Sequence, residues 1–368
     1  MRDTDLSVLI KKSFRRMRDS LFKPFVLKKW LYFMLIAFLS GNLGGGCGNG
    51  RGSWGKTGKK AEAAPTHVGQ TFSARGEVVD ITPEDQDAPA GLDAFIKDNP
   101  FKNWREWPSW VFVLVIMGGL LVLALLIFFS WVNARFQFVW LNAVVHDEAA
   151  IRKPFREYKE QGNSLFKFYV AYGLFLTFVF AVLAASVIGP LSVLGAFDDP
   201  GRLAPLDYIK ICALPALLFG LLNLAGLILI HFVNQFIVPI MAADRSLFTQ
   251  GWRKFLDVYR KNTKDIWVYL LTSFGLSIAS AVILGIGMLI LFLAFGLAAA
   301  VIGGILYVIF GLLLKSRLLF GGLMVLAGLP ALAALFVLTL MFPVPVAVFF
   351  RNFSLYYLAS LDCPYRPL

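Results

Sequence analysis

Arg152–Tyr169 reads RKPFREYKEQGNSLFKFY, a basic, aromatic segment that leads straight into an apolar run. It comes back about a hundred residues later as RKFLDVYRKNTKDIWVYL, Arg253–Leu270, with Arg-Lys, a bulky apolar residue and Tyr158/Tyr259 in register. Ser164-Leu165-Phe166-Lys167 also occurs near the start of the chain, as Ser20-Leu21-Phe22-Lys23, again just ahead of a hydrophobic segment. A basic helix feeding a membrane helix, used three times, is the plan this implies.

Composition supports it. Hydrophobic residues make up 58% of the chain and charged residues only 16%. Soluble domains carry about 25% charge, so the expected class is an all-α integral membrane protein. The net charge of +12 does not point to nucleic acid. The bases cluster beside apolar runs, where the partner they suit is the anionic cytoplasmic leaflet of a bilayer. Cys47, Cys212 and Cys363 are scattered and form neither a disulfide framework nor a zinc pattern.

Taken in order, residues 1–29 hold nine Lys/Arg against three Asp, and Leu6, Ile10, Phe14, Met17, Leu21 and Phe25 recur at helical spacing. That is a basic amphipathic helix for the cytoplasmic surface. Residues 30–132 form the first hairpin, Trp30–Leu43 and Val111–Val132, around a glycine-rich, polar loop over 44–107 that is expected to be flexible and extracytoplasmic. Inside it, Gly50–Thr57 matches the phosphate-loop pattern, but no strand precedes it and no acidic partner strand follows, so a linker is expected. Trp104, Trp107 and Trp110 mark an interfacial belt.

The second unit, 133–241, is an interfacial segment plus the hairpin Leu165–Gly189 and Ile209–Phe232. The third, 242–350, is nearly uncharged after Ile266 except for Lys315 and Arg317. Repeat logic makes it a hairpin with an extra apolar piece over about 294–324, giving six spans; straight hydropathy counting gives seven. Residues 351–368 are left as a short tail. The base counts favour a cytoplasmic N-terminus in the inner membrane, since 133–166 and 242–265 carry five and six Lys/Arg while 190–208 carries one.

Two residue sets stand out. Arg152, Lys153, Arg156 and Lys159, with Arg253, Lys254, Arg260 and Lys261, are the candidate membrane-surface bases. Ser273, Ser277, Ala281 and Gly285, and then Gly296, Ala300 and Gly304, form ridges of small residues suited to close helix packing, within the chain or against another copy or complex member. Lys167 and His231 sit where they could snorkel to an interface, and Asn223 where it could bond a neighbouring helix. His146-Asp147-Glu148 has no further histidine spaced to complete a metal site. No catalytic motif and no pair of intramembrane acids is found, so neither an enzyme nor a cofactor is expected.

These motifs together resemble a family of uncharacterised prokaryotic multi-pass membrane proteins. The matching pieces are SLFKPF and KKW within 20–30, ARFQFVWLNAVV at 134–145, KPFREYKEQGNSLF at 153–166, VPIM at 238–241 and FFRNFSLYYL at 349–358. More distantly the layout is similar to the membrane domain attached to some glycerophosphodiester phosphodiesterases. The resemblance implies the fold and no activity. Two functions remain as expectations: a non-enzymatic organiser of lipid or of a membrane complex, and a permease-like carrier of a lipid-like or other apolar substrate.

Overall fold

Every regular element in the computed structural model, which describes residues 6–43, 108–148, 150–195, 204–313 and 317–361, is a helix. Cys47, Cys363, Gly50–Thr57, Trp104, Trp107 and Lys315 lie outside the described residues. In chain order come α1 (Leu6–Phe22), α2 (Leu27–Leu39), α3 (Ser109–His146), α4 (Arg152–Glu157), α5 (Lys159–Val193) and α6 (Pro205–Phe232). A π-helical turn, Val233–Ile237, joins α6 to α7 (Val238–Asp244), and α8 is Phe248–Lys261. Then α9 (Thr263–Leu306) continues as a second π-helical stretch, Tyr307–Leu313, before α10 (Arg317–Met341) and α11 (Val344–Ser360).

Among the described residues five stretches are long and apolar enough to cross a bilayer: Ser109–His146, Lys159–Val193, Leu206–Asp244, Thr263–Phe310 and Gly321–Ser360. Their most apolar windows are 0–6% buried inside the protein, which is the surface a lipid-facing helix presents. In α3, Trp131 follows Trp110 by 21 positions, a rise of about 32 Å. That matches a hydrocarbon thickness of about 30 Å with an interfacial aromatic at each end.

The count corrects the expected six. Trp30–Leu43 is not among the five stretches: α2 has 13 residues, about 20 Å of rise. It stops where Ser40, Gly41, Asn42 and Leu43 turn, and Gln137 of α3 donates to the Ser40 carbonyl at 2.7 Å. The seven-span alternative is also set aside. Beyond Ile266 the chain makes one long antiparallel pair, with the Phe342 ring lying where a Cβ on Gly287 would go and Met324 facing Gly303. Residues 294–313 and 317–324 thus belong to two helical arms and are not a separate inserted piece. At 44 residues, α9 alone rises about 66 Å, about twice the hydrocarbon thickness of about 30 Å.

The core lies at one end of the long helices. Most of residues 134–144 of α3, of the turn 233–241 and of 344–358 are buried, whereas the rest of each arm is largely exposed and apolar. One cluster joins Met17, Leu21, Trp30, Phe33 and Ile36 to Phe136, Trp140, Val144, Val344 and Val348. A second joins Phe138, Leu165, Phe236, Met241, Phe255, Tyr269, Phe353 and Tyr357. Residues 351–361, read from sequence as a tail, belong to the buried core and include Arg351, Asn352 and Ser354.

Each short basic helix packs on the returning helix before it. Phe155 of α4 meets Phe136 of α3 at 5.7 Å between centroids, and Tyr158 stacks on Phe138 at 5.6 Å. In the same way Phe255 of α8 meets Phe236 at 5.8 Å. The first helix takes the corresponding place on the last: α1 packs on α11, and Arg16 donates to Val145 O at 2.7 Å and reaches Tyr356 Oη at 3.5 Å. The amphipathic face expected of α1 is split by this contact. Met17 and Leu21 enter the core, while Phe14 and Phe25 stay exposed beside Lys11 and Arg15.

α1, α4 and the start of α9 therefore belong on one side of the membrane, with the turn after α5 on the other. In a cysteine-free background, single cysteines at Lys12, Lys153 and Lys264 should all label from one side with an impermeant maleimide. A cysteine at Ser192 should label from the opposite side, and a split among the first three would contradict the arrangement.

Candidate membrane-surface site

Asp147 makes the turn that folds α4 back onto α3. It has a positive φ of 57°, a conformation that short polar side chains tolerate better than most. Its carboxylate accepts from the Ser20 hydroxyl and from Lys29 Nζ at 2.9 Å. The end of α3 is thereby tied to both N-terminal helices, and the chain leaves in the direction of Arg152.

What the turn brings together is a basic cleft of about 760 Å³ lined by Arg135, Phe136, Ile151, Arg152, Phe155, Arg156 and Lys159. Its walls hold four cations and no acid. Arg135 is fixed in place: its Nη2 and Nε donate to Asn163 Oδ1 at 3.0 and 3.3 Å, and its guanidinium lies 4.4 Å from the Trp131 ring and 5.0 Å from the Phe155 ring. Stacking of this kind contributes about 0.5–1 kcal/mol at exposed sites and more when desolvated. Gly162 makes room for it, since a Cβ there would stand 2.8 Å from Arg135 Cγ and 3.3 Å from its Cα. Of the two acids beside these bases in sequence, Glu160 does not line the cleft and Glu157 pairs with Arg245, whose guanidinium also sits 5.0 Å from the Tyr158 ring. Burial and Glu157 hold the Tyr158 phenol above its usual range, while Arg245 pulls the other way.

The other candidate residues are distributed differently. Lys153 is exposed beside the cleft without lining it. On α8, Arg253, Arg260 and Lys261 are exposed, but Lys254 pairs with Asp244 at 2.5 Å. The small-residue ridge divides: Ser273 and Ser277 are buried, whereas Ala281, Gly285, Gly296, Ala300 and Gly304 are exposed. A Cβ on Gly285, Gly296 or Gly304 would meet nothing within 4 Å. Close approach inside the hairpin falls instead at Gly287 and Gly303. His231 is 6% exposed and does not snorkel, and Asn223 donates to Phe219 O of its own helix at 2.8 Å.

Two buried groups escaped the sequence reading. Arg351 is 3% exposed, and its Nη1 donates to the Asn234 carbonyl. The need for that donor is local: Val238 N reaches back five residues to Val233 O, and the same pattern would call on the N–H of residue 239, which is a proline. Asn234 Oδ1 in turn accepts from Tyr169 Oη at 2.7 Å. Gln137 was the second, and it fixes the end of α2. The signal for Arg351 was the repeated exit from a span, where Asn133, Asn234 and Asn352 each follow an apolar run and Arg351 takes the place of Val132 and Val233.

Fold and site together define an all-α, multi-pass membrane protein whose short basic helices cover the end where its long helices meet. The chain belongs to a family of unknown function (DUF7544), whose model matches residues 9–368. No curated protein and no solved structure matches it.

The close approach at Gly162 is testable on its own. Gly162→Ala should lower stability by about 1–3 kcal/mol through overpacking, read as an earlier thermal unfolding midpoint in detergent. Gly189→Ala, where a Cβ would meet nothing within 4 Å, should leave the midpoint unchanged or slightly raised.

Proposed function

We propose that this protein is a non-enzymatic organiser of membrane lipid or of a membrane complex, acting through its basic helices on the anionic cytoplasmic leaflet of the inner membrane. The observation that carries the reading is that α1, α4 and α8 each turn an apolar face to the core and leave bases outward: Lys11, Lys12 and Arg15; Arg152, Lys153 and Arg156; Arg253, Arg260 and Lys261. Each base near an anionic surface contributes about 1 kcal/mol. With the positive-inside rule, this orients the N-terminus to the cytoplasm. The three-fold recurrence of basic helix and hairpin is read as an internal repeat. The resemblance to prokaryotic membrane proteins and to phosphodiesterase-linked membrane domains fits the same picture.

A carrier would need a route for its cargo between the arms. The groove between α6 and α9 is about 380 Å³ and is lined by Leu224, Leu227, Ile228, Trp267, Leu270, Leu271 and Phe274, with His231 as its one polar residue. That lining suits a lipid-facing crevice better than a polar pathway, which favours the organiser. The exposed face of Ala281, Gly285, Gly296, Ala300 and Gly304 suits a further copy or partner helix.

The test is thermal unfolding of the intact protein with added lipid. Anionic phosphatidylglycerol should raise the midpoint more than phosphatidylcholine does, and the difference should shrink as salt shortens the screening length from about 10 Å to about 3 Å. Equal stabilisation by both lipids at every salt concentration would contradict the reading.

A further inference from the structure

We infer that the cleft between the end of α3 and α4 is a discrete site for one anionic phospholipid, with its phosphate held by Arg135, Arg152, Arg156 and Lys159. The inference rests on the surface reading above and narrows it from a diffuse attraction to a stoichiometric pocket.

Three observations carry it. First, the cations are unopposed. Among the described residues Arg152, Arg156 and Lys159 have no salt bridge, and Glu157 is engaged by Arg245. Glu160, the other acid beside these bases in sequence, does not line the cleft. Second, Arg135 is set up before any ligand arrives. Asn163 takes Nε and Nη2, the Trp131 and Phe155 rings, set edge to face, both lie within 5.0 Å of its guanidinium carbon, and Nη1 is left without a protein partner among the described residues. A guanidinium fixed in this way presents its remaining donors with little further loss of freedom, which is the geometry phosphate recognition favours.

Third, the cleft joins two chemistries. Its cations sit over Phe136, Ile151 and Phe155, and one turn toward the far end of α3 the exposed apolar stretch below Trp131 begins. A phosphate carried on acyl chains satisfies both at once, with the chains along the arm and the headgroup in the cleft. A free phosphate uses only the cations. Basic pockets beside membrane helices are recognised positions for such headgroups, and a volume of about 760 Å³ lies within the range of small-molecule sites.

Native mass spectrometry of the full-length protein in mild detergent tests this, because detergent removes the extended surface that diffuse attraction needs. Titrated with phosphatidylglycerol, the wild type should retain one lipid per chain in preference to phosphatidylcholine. Arg152→Gln with Arg156→Gln should weaken retention about thirtyfold, from the loss of two bases. Arg253→Gln with Arg260→Gln removes the same charge from exposed positions on α8 and should change it less than about threefold. Arg135→Lys keeps the charge but loses the Asn163 and ring contacts, and it should also weaken retention. Both glutamine pairs replace exposed side chains, so folding is checked by an unchanged unfolding midpoint.

Equal losses from the two glutamine pairs would overturn the pocket while leaving the surface reading intact. No preference for the anionic lipid in detergent, with salt-dependent stabilisation still present, would do the same. Displacement of bound lipid by an equal concentration of inorganic phosphate would assign the cleft to a free anion and overturn the lipid form. Absence of both retention and salt-dependent stabilisation would remove the surface reading as well.

Discussion

Apolar helices in lipid gain nothing from burying their sides against one another by the hydrophobic effect, because the acyl chains are as apolar as the side chains they would replace. The rest of this structure depends on that constraint. The arms of α3, α5, α6, α9 and α10 are exposed along most of their length, so they cannot by themselves fix how the helices are arranged. What fixes them is the end where α3, the turn before α7 and α11 meet. There Phe138, Phe236, Tyr269 and Phe353 are fully buried, and the backbone break ahead of Pro239 is satisfied by Arg351. A charge in such a place costs several kcal/mol unless its donors are used. Arg351 gives Nη1 to a carbonyl that the proline leaves without a partner, while its Nε and Nη2 have no hydrogen-bond partner among the described residues.

The basic helices complete that end by covering it. α4 covers α3, α8 covers the turn between α6 and α7, and α1 covers α11, so the first described helix closes on the last. Arg16 shows how the closure works. Its guanidinium takes the Val145 carbonyl near the end of α3, one of the four that a helix terminus leaves unpaired, and reaches Tyr356 on α11. One side chain thus links three elements that are far apart in sequence. The outward bases are then held at fixed positions by a packed apolar face, instead of trailing from a loop.

Much of this was legible in the sequence, and the misses have physical reasons. Phe255 stands one position ahead of the place of Phe155 in the two copies of the basic segment, and both turn out to contact the preceding return helix. Hydropathy overstated α2 because Trp30–Leu43 is apolar enough for a span. It ends early because Ser40 and Asn42 find a partner in Gln137, a contact that no local window contains. Residues 351–361 looked like a tail because Arg351, Asn352 and Ser354 are polar, and hydropathy cannot distinguish a polar residue in water from one buried inside a core. The surface bases were visible as a pattern on α4, but Arg135 was not joined to them. The turn at Asp147 and the absence of a side chain at Gly162 bring it there, and both are tertiary facts.

Closure of the first helix onto the last is the most direct thing to measure. Cysteines replacing Arg16 and Tyr356, in a background free of Cys47, Cys212 and Cys363, should be joined by a short bismaleimide within one chain in native membranes. The expected product is an internally cross-linked monomer, formed at a yield independent of expression level. No cross-link, or only dimers whose yield rises with expression, would contradict the closed arrangement and with it the account of what holds the helices in place.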